Sequence, residues 1–332
     1  CAKGAGMAEV VESVREKVPA GKDAASRAAR RAWRERLNNA ASRKLLIGAG
    51  AALLGGAFWG FSGTAASALF DVYHVDTMWL MSVRQLIAGA LFMVLILLFD
   101  RKRFVKLWTT REHRRTQLVF TFFGLLANQF FYLNAVRLTN AGTATVLQCL
   151  QLIFIMAYTC VSAHRRPRKR EIAGLIMAFA GTVLISTGGD LTRLSIPPLG
   201  LAMGLLTALG AALITILPVK ILPVYGSTIV TGSAMFLSGI VTSVFVQPWN
   251  NMPALDAAGW ETLAVFVLVG SFLAYLLYMQ GVKDIGSMRA GLIGTVEPVS
   301  ATVTSAIMLG TAFAGTDLAG FALIIGMMFL TV

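Results

Sequence analysis

The sequence predicts an all-α integral membrane protein of about ten transmembrane helices, arranged as two inverted five-helix repeats. Composition, the spacing of apolar runs and an internal repeat predict it. Of 332 residues, 56% are hydrophobic and 14% are charged, and the mean hydropathy is +0.71. Soluble domains carry about 25% charged residues. A chain this long and apolar would expose large hydrophobic patches in water, and lipid removes that cost.

Ten apolar runs lie near 46–68, 78–99, 117–137, 143–163, 171–188, 198–218, 228–247, 259–281, 288–309 and 316–332. Each can cross a hydrocarbon core about 30 Å thick. They divide the chain into a basic cytoplasmic segment (1–45), a first five-helix unit (46–189) and a second (198–332). The basic segment is rich in Ala, Glu, Arg and Lys between Ala8 and Arg43. It lacks the apolar core of a signal peptide. It reads as a solvated tail, or as an amphipathic helix lying on anionic lipid.

The formal net charge is +13, and its placement sets the topology. Eleven of the 29 Lys/Arg precede Leu45, seven fall between Arg101 and Arg115, and five between Arg165 and Arg170. Basic chains can bind nucleic acid. Here the charges sit between apolar runs, so nucleic acid is not an expected partner. With the N-terminus inside, the outer segments carry only Arg137 and Arg193, together with Asp71, Asp76, Asp190, Asp256, Glu261 and Asp317. The positive-inside rule therefore predicts a plasma (inner) membrane protein with both termini cytoplasmic.

Small residues recur every four positions in two runs. They are Gly48, Ala52, Gly56, Gly60, Thr64 and Ala68 in the first, and Gly200, Gly204, Ala208 and Ala212 in the sixth. Such stripes let helix backbones approach closely. They read as plain packing, or as equivalent helices of two repeats at a moving interface. At an offset of 146, Gly124 meets Gly270, Tyr132 meets Tyr278, Val136 meets Val282 and Ala144 meets Ala290. Arg137 then meets Lys283, and Gln151 meets Glu297. An odd number of spans per unit makes the second unit enter the membrane in the opposite orientation.

Glu297 is the one acidic residue deep inside a predicted span. A charged carboxylate there costs several kcal/mol, so it is protonated, paired or facing water. It reads as a proton-coupling group or an amine-binding group, or as a neutral carboxyl that fixes packing. Pro298 beside it frees the Gly294 carbonyl and loosens the helix. Arg84 lies about two turns into the second span. It either snorkels to the outer interface or attracts a carboxylate. Gln148 and Gln151 share a helix face, as do Asn128 and Tyr132, and Tyr275 and Tyr278. With Trp59 they offer neutral hydrogen-bonding groups and aromatic walls for a small amphipathic solute. Interhelical hydrogen bonding explains each residue separately as well.

The chain resembles EamA-type members of the drug/metabolite transporter superfamily. Trp59-Gly60, Arg84 and Tyr132-Leu-Asn-Ala-Val136 leading to Ala144 carry the resemblance in the first half. Arg170-Glu-Ile-Ala-Gly174 followed by Gly181-Thr-Val-Leu-Ile185 continues it. In the second half, Tyr278-Met-Gln-Gly-Val282 leads to Ala290 and to Glu297-Pro298. The resemblance implies two inverted five-helix repeats around a central cavity. It also implies secondary transport, often export of amino acids or other small metabolites. One departure stands out: the family's Gly-Glu pair before the last span is here Gly310-Thr311.

No enzyme signature is present. His74, His113 and His164 lie at loops or helix ends. No HExxH, P-loop or GxSxG occurs, so neither a metal nor a cofactor is expected. The expected partners are a small-molecule substrate and the bilayer. Sugar-phosphate or nucleotide-sugar permeases need more intramembrane cations than Arg84 alone. A non-transporting membrane scaffold remains the reading from another class.

Overall fold

The computed structural model describes residues 24–162, 164, 166–190, 195–285, 290, 293–294 and 296–331. Residues 1–23 of the basic segment, together with Arg165, Arg193 and Arg289, lie outside them. Among the described residues every regular element is helical.

Helix α1 runs unbroken through Ala24–Asp71, so the later part of the basic segment continues directly into the first span. Helix α2 is Thr77–Phe99, and a short helix α3, Arg101–Thr109, follows it. Helix α4 comprises Arg111–Val119, a π-helical turn Phe120–Leu126 and Ala127–Leu138. Helix α5 is Ala141–Gln148 continued, after a turn at Cys149 and Leu150, by Gln151–Ser162. Helix α6 is Lys169–Thr187. Helix α7 is Pro198–Ile216, tightened into a 3₁₀ turn at Leu217–Lys220. Helix α8 is Ser227–Val246. Helix α9 comprises Ala257–Val267, a second π-helical turn Leu268–Leu273, and Ala274–Ile285. Helices α10 (Val296–Leu309) and α11 (Gly315–Thr331) complete the chain.

Seven segments have the length and apolar composition of a membrane span: Leu45–Asp71, α2, α4, α5, α7, α8 and Ala257–Val282. Among the described residues, Val296–Leu309 of α10 and Gly315–Met327 of α11 are apolar helices below that length. Large apolar side chains such as Leu98, Phe99, Phe123, Phe179, Phe245 and Ile307 point outward. Leu69, Leu80, Phe92, Leu133 and Phe266 fill the interior. An apolar exterior of this extent fits lipid as the solvent.

The main packed pairs are α1 with α9 and α10, α7 with α4 and α5, α2 with α8, α5 with α10, and α6 with α11. Exchanging α1, α2, α4, α5 and α6 for α7, α8, α9, α10 and α11 maps this set onto itself. The two small-residue stripes follow the same exchange. A Cβ at Gly48, Gly56 or Gly60 would collide with α9, the Gly294–Val296 segment and α10, and one at Gly200 or Gly204 with α4 and α5. Helices α6 and α11 meet reciprocally: a Cβ at Gly181 would lie 2.8 Å from the Gly320 carbonyl oxygen, and one at Gly320 would lie 2.8 Å from that of Gly181.

Side-chain oxygens satisfy free N–H groups at the starts of α2, α5 and α9. Asp76 caps α2 through the amides of Met78 and Trp79, both at 2.9 Å. Asn140 caps α5 through Thr143 at 2.8 Å, and Asp256 caps α9 through Gly259 at 2.8 Å. The Tyr73 hydroxyl also donates to Asp256, at 2.8 Å, and latches the α1–α2 loop to the start of α9.

Hydrogen bonds from the Gly259 amide and the Tyr73 hydroxyl hold the Asp256 carboxyl below the usual carboxylate range. A pKa lowered by folding stabilises fully above the unfolded value. That contribution is lost as pH falls through the folded value. The latch is therefore expected to loosen below about pH 4. Amide exchange across 72–76 and 254–259 should show an extra acceleration there, absent in Asp256→Asn. An identical pH profile for the two proteins would dismiss the latch.

Candidate functional site

Trp59 sits at the midpoint of the Leu45–Asp71 span, on the face of α1 that packs against α9. Its ring lies 4.9 Å from that of Tyr275 at an interplanar angle of 71°, and 4.7 Å from that of Tyr278 at 45°. All three side chains are half-buried. The i, i+3 spacing of Tyr275 and Tyr278 brings both rings to the same indole. Rings tilted in this way pack edge against face and form a joined aromatic cluster.

Glu297 enters beside this cluster. It is the second residue of α10 and half-buried. At Gly60, next to Trp59, α1 and α10 touch backbone to backbone: an added Cβ would collide with the Glu297 carbonyl oxygen and lie 2.6 Å from the Ala301 nitrogen. The Tyr278 ring edge packs over Gly294, three residues before Glu297. The Ser300 hydroxyl donates to the Ala57 carbonyl at 2.8 Å. Thr64 shares hydrogen bonds with Thr304 (2.6 Å) and Ser305 (3.1 Å). These contacts fix α10 on α1 and so place the carboxylate.

No described residue is hydrogen-bonded to that carboxylate. It lies within electrostatic range of Arg84, Tyr132, Tyr275, Tyr278 and Cys149.

Arg84 does not snorkel. It is 4% exposed, and its guanidinium turns into the bundle. Nε donates to the Ser271 hydroxyl at 2.5 Å and Nη1 to the Gln129 side-chain oxygen at 2.9 Å. The Cζ atom stands 4.7 Å from the centre of the Phe266 ring. Ser271 belongs to the π turn of α9, and Gln129 follows the π turn of α4, so Arg84 ties both turns together. Tyr275 lies beside the same Gln129. Nothing in the residues around Arg84 marked Gln129, Ser271 or Phe266 in advance. The sole hint is that Gln129 shares a helix face with Tyr132.

Arg84→Lys keeps the charge and loses the planar fork. It cannot hold both hydrogen bonds and the ring stack, and a lost hydrogen bond to a charged group costs about 1.5–3 kcal/mol. The expected result is a lower melting temperature with apparent substrate affinity little changed. Unchanged melting with a selective affinity loss would instead put Arg84 in contact with substrate.

The remaining sequence candidates distribute as follows. Tyr132 is buried, its hydroxyl over Gly63 of α1. Gln148 ends the first half of α5 and Gln151 begins the second, both half-buried. Cys149 between them is within electrostatic range of Glu297. Asn128 stands apart from the Trp59 cluster. It packs against Gly210 of α7, and its Oδ1 has no hydrogen-bond partner among the described residues. No group of three or more metal-ligating side chains occurs among the described residues.

A multi-span helical protein, apolar outside and lined within by aromatic groups, a carboxylate and neutral polar groups, belongs to the class of membrane transporters. The EamA-like transporter family model matches residues 46–187 and again 198–332, and the chain belongs to that family. It is 28% identical over 273 residues to YicL, an uncharacterized inner membrane transporter of Salmonella typhimurium, covering 82% of this chain and 91% of that one. An uncharacterized transporter of Archaeoglobus fulgidus is 23% identical over 268 residues, covering 81% and 92%. The uncharacterized transporter YetK of Bacillus subtilis is 23% identical over 256 residues, covering 75% and 76%. A crystal structure shares the fold with a TM-score of 0.57 at 18% identity, over 87% of this chain and 96% of that one. The protein is a membrane transporter and not an enzyme.

Proposed function

We propose that the protein is a secondary transporter that exports amino acids or other small metabolites across a plasma (inner) membrane. Its substrate occupies a central cavity between two inverted five-helix repeats. The observation that carries this reading is the Trp59–Tyr275–Tyr278 cluster with Glu297. Its residues come from α1, α9 and α10, so the site straddles the two units 46–189 and 198–332. Substrate sites of inverted-repeat transporters lie at that position, near the midplane. Glu297 is the coupling candidate, and Trp59, Arg84, Asn128, Tyr132, Gln148, Gln151, Tyr275 and Tyr278 are the pathway candidates.

Three features support the repeat. The family model matches twice. The helix pairings are unchanged when the halves are exchanged. The π turn at Phe120–Leu126, shifted by 146, overlaps the one at Leu268–Leu273. The same offset carries Gln151 of α5 onto Glu297 of α10. With five spans per half, counting α6, α10 and α11 as spans, both termini are cytoplasmic, in keeping with the basic residues of α3 and early α4. Phosphorylated or nucleotide-linked sugars are disfavoured, because Arg84 already has protein partners.

Counterflow in proteoliposomes tests the reading. Vesicles are loaded with a pool of amino acids and small metabolites, and entry of each labelled member is followed. Saturable, protein-dependent exchange of one class is the expected result. No exchange by folded protein with any member of a broad pool would favour a scaffold.

A further inference from the structure

We propose that the basic end of α4 binds an anionic phospholipid, its phosphate between Arg111 and Arg115 and an acyl chain along Val119 and Phe123. The proposal stands on the surface of α4 and on no choice of substrate. Three observations carry it. Arg111, Arg115, Val119 and Phe123 follow one another every four residues and are all exposed, Phe123 to 66%. Residues at that spacing share a helix face. Two cations therefore stand in line with two apolar side chains that no protein covers.

The second observation is depth. The apolar run of α4 begins at Leu118. At 1.5 Å per residue, Arg115 lies about 5 Å and Arg111 about 11 Å beyond it. A headgroup layer roughly 6 Å thick flanks the hydrocarbon core, so the two guanidinium groups bracket the phosphates. The third observation is orientation. On the opposite face of α4, His113 Nδ1 and the Tyr225 hydroxyl share a hydrogen bond at 2.7 Å. The Gln117 amide donates to the Val230 carbonyl at 2.8 Å. These bonds fix the rotation of the helix and keep the arginines turned outward. Glu112 between them faces Lys220 at 3.9 Å, and no described acid pairs with Arg111 or Arg115.

The positive-inside rule counts cations and is silent on where they face. Here the planar forks, which match phosphate oxygens, continue directly into an apolar strip. A soluble anion would use the forks and leave the strip bare, whereas a phospholipid uses both. Lys102 and Lys106 of α3 have the same spacing and are exposed, but the next residue in their row is Thr110. They carry equal charge without the strip.

Purified protein in neutral detergent is titrated with dioleoylphosphatidylglycerol and, separately, with dioleoylphosphatidylcholine. Bound lipid is counted by native mass spectrometry, and melting is followed in parallel. The phosphatidylglycerol is expected to bind roughly tenfold tighter and to raise the melting temperature. The double variant Arg111→Gln/Arg115→Gln should lose roughly that tenfold while melting like wild type without lipid. Lys102→Gln/Lys106→Gln should keep most of the preference. Phe123→Ser should weaken both lipids and preserve their ratio. Equal binding of the two lipids, or full phosphatidylglycerol affinity in the arginine variant, would overturn the site. An equal loss in the lysine variant would reduce it to bulk charge attraction. Displacement of phosphatidylglycerol by inorganic phosphate would make it a soluble-anion site and overturn the lipid assignment.

Discussion

Gly60→Val is expected to lower the melting temperature sharply and to reduce the yield of monodisperse protein, whereas Gly50→Val leaves both near wild type. The two substitutions make the same chemical change in the same helix. At Gly50 an added Cβ meets nothing within 4 Å. At Gly60 it would lie 2.6 Å from the Ala301 nitrogen and 2.8 Å from the Ser300 Cβ. Most of these neighbours are helix backbone, which cannot rotate away as a side chain can. Helix α10 must then retreat from α1. Retreat strains the Ser300–Ala57 and Thr64–Thr304 hydrogen bonds, at 2.8 and 2.6 Å. Overpacking costs about 1–3 kcal/mol and each interhelical hydrogen bond about 0.6 kcal/mol, for a total on the order of 3 kcal/mol. Detergent-solubilised protein unfolding irreversibly still ranks the variants when scanned at one rate. Equal melting of the two variants would mean that α1 and α10 do not touch as described.

The seven long spans were legible because lipid leaves few choices. A backbone in hydrocarbon must satisfy itself, so long apolar runs become helices. Gly48, Gly56 and Gly60 advertised a close helix contact through their period, although not which helix would fill it. The breaks within spans were not legible. Cys149 and Leu150 interrupt α5 inside an apolar run with no Pro or Gly to mark the turn. The π turns at Phe120–Leu126 and Leu268–Leu273 use the same apolar residues as an ordinary helix. Their overlap at the repeat offset gains meaning only once the backbone is known. π-Helical insertions cluster at functional positions, and here one contains Ser271 and the other precedes Gln129, the two hydrogen-bond partners of Arg84.

Within the site, the residues flagged by cost were the easiest to find. Glu297 and Arg84 stood out because charge within a span is expensive. Their surroundings are long-range: Ser271 is 187 residues from Arg84, and Gln129 is 45 away. A period-based reading pairs residues within one helix, so it grouped Tyr275 with Tyr278 correctly. The same rule grouped Asn128 with Tyr132, which face different neighbours, Gly210 of α7 and Gly63 of α1.

Glu297→Gln is expected to abolish uphill, proton-driven transport while the protein stays folded. The substitution keeps size and shape and removes the charge. The fold accommodates glutamine at the position related by the repeat, since Gln151 occupies it. The carboxylate accepts no hydrogen bond from described residues, so no described donor is orphaned. A charged contact to a bound ammonium contributes about 1.5–3 kcal/mol, so apparent affinity for a cationic substrate should fall about 10- to 150-fold. Two assays separate the roles open to this residue. Uphill transport under an imposed proton gradient needs a group that exchanges a proton with substrate, whereas counterflow needs substrate binding alone. Loss of uphill transport with counterflow retained assigns Glu297 to proton coupling. Loss of both, with binding lost in the same proportion, assigns it to holding the substrate. Uphill transport that survives in the variant with its pH dependence unchanged would sink the coupling role, leaving the carboxylate as a packing group in α10.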